Sequence, residues 1–148
     1  MLKEIYSNQV AAILVIRINE KEFCFDMDDI YTIINPFRLN SNNHLSNLKV
    51  INYESMDIPI IDFASLFSMT NTTGIDNRIL VLKKENQSLG FYVDQIVELI
   101  TFNSEKKENL NLSLEVSDNP YLIGRVLFKN RLLIFPDTRL IFSNSFSK

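Results

Sequence analysis

The sequence predicts an all-β protein, most economically two small barrels. Three observations carry this reading: an internal repeat, side chains that alternate with period two, and short polar connectors between apolar runs. Ile13-Leu14-Val15-Ile16-Arg17 returns as Ile79-Leu80-Val81-Leu82-Lys83. At the same offset Phe23, Phe25, Met27, Asp28, Ile30, Ile33 and Ile34 fall on Leu89, Phe91, Val93, Asp94, Ile96, Leu99 and Ile100. A second block matches at a larger offset, with Ile51, Tyr53, Ile58, Ile60, Asp62, Leu66 and Phe67 falling on Val126, Phe128, Leu133, Phe135, Asp137, Ile141 and Phe142. The second half therefore carries an insertion, and the polar stretch from Asn103 to Asn119 is where it fits, because surface loops absorb such changes. A chain of 148 residues is one domain by size. Halves of roughly 70 residues would each be marginal alone, so the two are expected to share a core.

The apolar run Val10 to Ile16 reads as a buried strand, far shorter than the roughly 20 residues of a membrane helix. From Glu22 to Asp26 the side chains alternate, with Phe23 and Phe25 on one face and Glu22, Cys24 and Asp26 on the other. Leu89, Phe91 and Val93 repeat the pattern, which predicts half-buried strands. Asn19-Glu20-Lys21 and Lys84-Glu85-Asn86-Gln87 are polar connectors of hairpin length, so each half opens with a hairpin. Ile30 to Ile34 and Ile96 to Ile100 fit a short helix or a strand by period, and their isoleucine content favours strand. Asn35-Pro36 and the Asn- and Ser-dense stretch Arg38 to Asn47 predict a loop. Leu48 to Tyr53 and Met56 to Ile61 predict another strand pair, closed by Asp62 as cap of a short turn carrying Leu66 and Phe67; Asp137 would do the same for Ile141 and Phe142. Pro59 places its strand at an edge or opposite a gap in the ladder. Ser68 to Asn77 reads as the connector between halves and Ser143 to Lys148 as a frayed tail. The domain is expected over residues 9–143, with 144–148 flexible.

Composition narrows the function classes. Apolar residues make up 46% and aromatics 11%, a globular balance rather than a disordered one. The formal charge is −3, with Lys and Arg scattered, so the electrostatic footprint of a nucleic-acid or anionic-membrane surface is missing. A single Cys excludes an internal disulfide, and Lys3 and Glu4 are not followed by a secretory apolar core, so the cytoplasm is the expected compartment.

Catalytic chemistry finds no foothold. His44 is the only histidine and Cys24 the only thiol, and no nucleophile motif accompanies either. One Cys, one His and scattered carboxylates lack zinc-ligand spacing. The run Asp26-Met27-Asp28-Asp29 lacks the glycine turn and distal Glu of a calcium loop and reads as a turn or cap. Gly74, Gly90 and Gly124 are isolated, so none forms a phosphate-cradling loop. Lys106-Lys107 lies between Glu105 and Glu108 as a solvated loop. Tyr53, Tyr92 and Tyr121 are the candidates for exposed stacking, without clustered cations. No enzyme, cofactor or metal is expected.

Val50-Ile51-Asn52-Tyr53-Glu54-Ser55 followed by Ile58-Pro59-Ile60-Ile61-Asp62-Phe63 resembles the central signature of the CheW-like domain, a Gly-Val-x-Asn-Leu-Arg-Gly turn before a Pro-Val-x-Asp-Leu strand end. Leu89-Gly90-Phe91-Tyr92-Val93-Asp94 is similar to the family's Gly-hydrophobic-hydrophobic-Val-Asp segment, and Tyr121 to Gly124 with Leu132 to Ile141 to its closing strands. The resemblance implies two five-stranded SH3-like β-barrels sharing a core, with short terminal helical turns. It also implies a non-catalytic chemotaxis adaptor that couples the cytoplasmic tips of methyl-accepting chemoreceptors to the regulatory domain of the histidine kinase CheA, at receptor arrays, without inserting into the membrane or binding nucleic acid. The alternative is a β-barrel nucleic-acid-binding protein, whose affinity would fall steeply with salt.

The chain departs from the family at one site. The Arg of the family's turn is Glu54, its flanking glycines are Lys49 and Ser55, and the Glu usual after the first hairpin is Thr32. A carboxylate that met Arg bidentately would here meet a carboxylate. The expected interface residues are Ile30, Thr32, Ile33, Asn52, Tyr53, Glu54 and Ser55. Asn52 has a structural alternative, its amide satisfying the turn backbone, and Ile30 and Ile33 have a core alternative.

Overall fold

Apolar runs separated by two polar residues fold back as antiparallel hairpins. Strands β1 (Val10–Ile18) and β2 (Lys21–Asp26) form one, and β6 (Arg78–Lys84) and β7 (Gln87–Val93) form its repeat. The connectors turn through left-handed backbone, with φ of 49° at Asn19, 69° at Glu20 and 55° at Glu85, the repeat mate of Asn19. Such turns match the twist of the strands they join. These elements come from a computed structural model that describes residues 10–38, 50–70, 77–103, 111–113 and 119–146. His44, Gly74 and the Lys106-Lys107 pair lie outside the described residues.

The isoleucine-rich segments are strands, β3 (Ile30–Ile34) and β8 (Gln95–Asn103). The hairpin β4 (Val50–Tyr53) and β5 (Met56–Pro59) leads into the single-turn helix α1 (Phe63–Leu66). Its repeat is β10 (Leu122–Phe128) and β11 (Arg131–Pro136), followed by α2 (Thr138–Phe146). Asp62 Oδ1 accepts from Ser65 N at 3.3 Å and Asp137 Oδ1 from Leu140 N at 3.2 Å, so both caps form as expected. Helix α2 runs through Ser143 to Phe146, where the sequence suggested a tail; Ile141 and Phe142 bury one face of it and carry the helix past the polar residues. The insertion read as loop holds strand β9 (Asn111–Ser113), which pairs with β10.

The repeat extends to register. Ile13 lies opposite Ile100 as Ile79 lies opposite Ile34, and Leu14 opposite Leu99 as Leu80 lies opposite Ile33. Both pairings slip at the same point, so that Val97 in one and Tyr31 in the other form a β-bulge.

The two spatial units are not the two sequence halves, which is a correction to the simplest reading of the duplication. One sheet has the order β8-β1-β2-β11-β10-β9; the other unit combines β3-β6-β7 with the hairpin β4-β5. Each unit thus takes its first hairpin from one half and its remaining repeat strands from the other. Connection length forces this exchange. Pairing β3 with β1 would set it parallel to β2 in the same sheet, and consecutive parallel strands need a crossover of roughly a dozen residues. Only Met27–Asp29 separates β2 from β3, and only Asp94 separates β7 from β8. The chain must therefore continue straight into the other unit.

The central core holds Leu14, Ile16, Phe23 and Phe25 of one unit against Leu80, Leu82, Leu89 and Phe91 of the other, with Ile141 and Phe142 of α2. Phe63 of α1 stacks on Phe91 at 4.4 Å between centroids and meets Phe23 edge-on at 5.3 Å. Each unit also has its own interior, one around Ile13, Val15, Cys24 and Phe135, the other around Ile34, Ile51, Ile58 and Val81. Residues Phe23 to Asp26 of β2 and Leu89 to Val93 of β7 are consequently buried on both faces rather than half-buried. Period two marks which of two cores each side chain enters, not core against solvent.

Pro59 sits where no second ladder is required. Beyond β4, strand β5 meets β7 only through the parallel bridge Ile60–Gly90, tied by Ile61 N donating to Gly90 O at 2.8 Å. A Cβ on Gly90 would lie 3.0 Å from Ile60 Cδ1 and 3.1 Å from Ile79 Cγ2, so a larger residue here would press both isoleucines back by a few tenths of an ångström.

Candidate functional site

The turn between β4 and β5 is the two residues Glu54-Ser55, both left-handed at φ of 50° and 65°. Neither is glycine, and both side chains are exposed. Asn52 faces solvent on β4, and its Nδ2 donates to Asp57 Oδ1 across the hairpin at 3.1 Å. Its amide therefore ties the two strands together through Asp57. Tyr53 is half-buried against the Ile51–Ile58 interior.

On β3, Ile30 is partly buried against the central core, Thr32 is half-buried opposite Val81, and Ile33 is 40% exposed. The bulge turns Tyr31 outward, and its hydroxyl donates to Glu54 Oε2 at 3.5 Å. Lys83 Nζ lies 5.1 Å from the Tyr31 ring centroid, a cation–π contact. The β3 strand and the Glu54 turn thus meet through Tyr31, which is 23 positions from Glu54 in the chain. The sequence does not single out Tyr31, because a bulge, unlike alternation, leaves no periodic mark.

The equivalent place in the other unit is built differently. Glu98, repeat mate of Thr32, bonds the guanidinium of Arg131, which also forks onto Glu22 with Nη2–Oε1 at 2.7 Å and Nε–Oε2 at 3.0 Å. Arg17 approaches Glu22 at 3.8 Å and donates to Gln95 at 2.6 Å. The Arg131 hydrogen bonds hold the Glu22 carboxyl below the usual glutamate range, although burial works the other way. Where Asn52 faces Asp57, this unit has the exposed pair Leu127 and Leu132.

The remaining candidates take structural places. Asp26 accepts from Asp28 N at 2.9 Å and caps a 3₁₀ turn, so the acidic run is a cap. Cys24 is wholly buried, and burial pushes its thiol above the ordinary range, as for a small core hydrophobe. Among the described residues no three His, Cys, Asp or Glu side chains converge as metal ligands, and no helix is long and apolar enough to cross a membrane. Of the three tyrosines considered for exposed stacking, Tyr92 is buried, while Tyr53 and Tyr121 are half-buried, the latter accepting from Asn144 at 2.9 Å. Among the described residues the exposed tyrosine is Tyr31.

Two strand-exchanged units around one core, one of six strands and one of five, define an SH3-like all-β module whose distinctive features are strand and turn surfaces. The sequence model of the CheW-like domain matches residues 12–146, and the chain belongs to that family. Among solved structures it is similar to the scaffolding protein TtCheW from Thermoanaerobacter tengcongensis, with a TM-score of 0.65 and 19% identity over 86% of this chain and 89% of that one. No curated protein sequence matches it.

Proposed function

We propose that this chain is a non-catalytic chemotaxis adaptor that couples methyl-accepting chemoreceptors to the histidine kinase CheA, working in the cytoplasm at receptor arrays. The observation that carries the reading is family membership across residues 12–146, supported by the likeness to a scaffolding protein. Its receptor-facing residues would be Thr32, Ile33, Asn52, Tyr53, Glu54 and Ser55, with Ile30 supporting from below. Supporting this choice, Tyr31 joins the two groups in space and Ile33 is exposed while its paired Leu80 is wholly buried.

The mechanism is holding rather than chemistry. Stiff strands fix the geometry of one surface relative to another, so partners bound to different faces of the two units stay in register. The test is reconstitution of receptor fragments, CheA and this chain, read as kinase autophosphorylation. The expected result is receptor-controlled kinase activity that requires the chain. Activity indifferent to its presence would overturn the proposal.

A further inference from the structure

We infer that Glu54 selects the partner, and that it does so by meeting a basic side chain, arginine or lysine, on the receptor segment that docks against β3 and the β4–β5 turn. The inference rests on the receptor-binding role proposed above and specifies the chemistry of that same face.

Glu54 stands at the tip of a hairpin, exposed, with its carboxylate in no ion pair among the described residues. Tyr31 holds it from one side, at 3.5 Å, well beyond the usual O–H···O separation of about 2.7–2.8 Å. Most of the carboxylate's acceptor capacity is left for another molecule. Within the hairpin itself the charge is uniform, because residues 50–59 carry Glu54 and Asp57 and no basic residue, while Lys83 lies over the neighbouring Tyr31 ring. The repeat-equivalent stretch, 125–134, carries Arg125, Lys129 and Arg131 and no acid. The duplicated hairpins have thus diverged to opposite sign, and the acidic one complements a basic partner.

The surroundings suit a docked segment with apolar residues beside its cation. Ile33, on the same strand as Tyr31, is 40% exposed. Tyr31 is a positioning residue. The bulge sets its ring, Lys83 steadies the ring by a cation–π contact, and the hydroxyl makes a long contact with the Glu54 carboxylate. A basic group arriving there forms a charge-assisted hydrogen bond, and an acidic one is repelled.

The experiment is calorimetric titration of the full chain with a soluble fragment of a chemoreceptor cytoplasmic tip, at two salt concentrations. Native protein is compared with Glu54→Gln, Glu54→Arg and Tyr31→Phe, with thermal unfolding recorded to show that each variant folds. Glu54→Gln is expected to weaken binding about tenfold and flatten its salt dependence, and Glu54→Arg to weaken it further. Tyr31→Phe should weaken binding less and keep the salt dependence, as loss of aim rather than of charge. Reversal of one basic residue in the fragment to Glu should restore binding to Glu54→Arg. A native chain that binds while both Glu54 variants bind equally well overturns this inference and leaves the receptor role standing. A native chain that ignores the fragment overturns both. Self-association that disappears in Glu54→Arg, measured by sedimentation, would assign the cation to a second copy's 125–134 hairpin and overturn the receptor assignment.

Discussion

Ser55 holds a left-handed backbone at φ 65° without being glycine, next to Glu54 at 50°. That conformation costs an ordinary L-residue roughly 1–2 kcal/mol. Ser55→Gly is therefore expected to stabilise the protein by about 0.5–1 kcal/mol, after the extra freedom glycine gives the unfolded chain, measured as a higher urea midpoint. Glu22 supplies the opposite case. Arg131 grips it bidentately and lowers its pKa, so the carboxylate stabilises the fold above the ordinary glutamate value and that contribution is lost as pH falls through the depressed one. Glu22→Gln should cost about 1–3 kcal/mol near neutrality and flatten the stability curve below about pH 4, as followed by urea midpoints across the acid range. Of the candidate site, Glu54 and Ser55 could be read from the turn they occupy. Tyr31 could not, because its outward pose comes from a one-residue slip between β3 and β6, set by tertiary pairing rather than by its neighbours.

At the level of elements, the repeat is legible where it governs local structure. Asp62 and Asp137 start α1 and α2 by the same bond to the third residue on, at 3.3 and 3.2 Å. Each cap also sets a side chain into the central core, Phe63 in one case and Ile141 with Phe142 in the other. Asp62→Ala and Asp137→Ala are each expected to cost about 1 kcal/mol, measured by chemical denaturation. The double variant should approach the sum, since the helices follow different strands. Burial of β2 and β7 was harder to read. Phe23 and Phe25 announce one core, but Cys24 and Gly90 on the reverse faces are too small to announce a second.

Strand exchange organises the whole molecule. The repeat alone could not reveal it, because β1 and β6 are interchangeable partners for β3 at the level of residue pattern. The signal was in the connectors, since three residues after β2 and one after β7 cannot carry a chain back along a strand. A consequence is that neither half contains a complete unit. Fragments 1–70 and 71–148 are each expected to lack a cooperative unfolding transition and to regain one when mixed, as followed by circular dichroism. Independent folding of either would contradict the exchanged topology. The same exchange joins the β3 bulge of one half to a hairpin framed by β6 and β7 of the other, so the candidate face exists only in the assembled fold.

The central claim is that this face, β3 with the β4–β5 turn, is where the chemoreceptor docks. Hydrogen–deuterium exchange of the full chain, with and without a receptor-tip fragment, tests it most directly. The account predicts new protection across residues 30–34 and 50–57, with β10 and β11 unchanged. Binding that protects β10 and β11 while leaving β3 and the Glu54 turn as they were would contradict it.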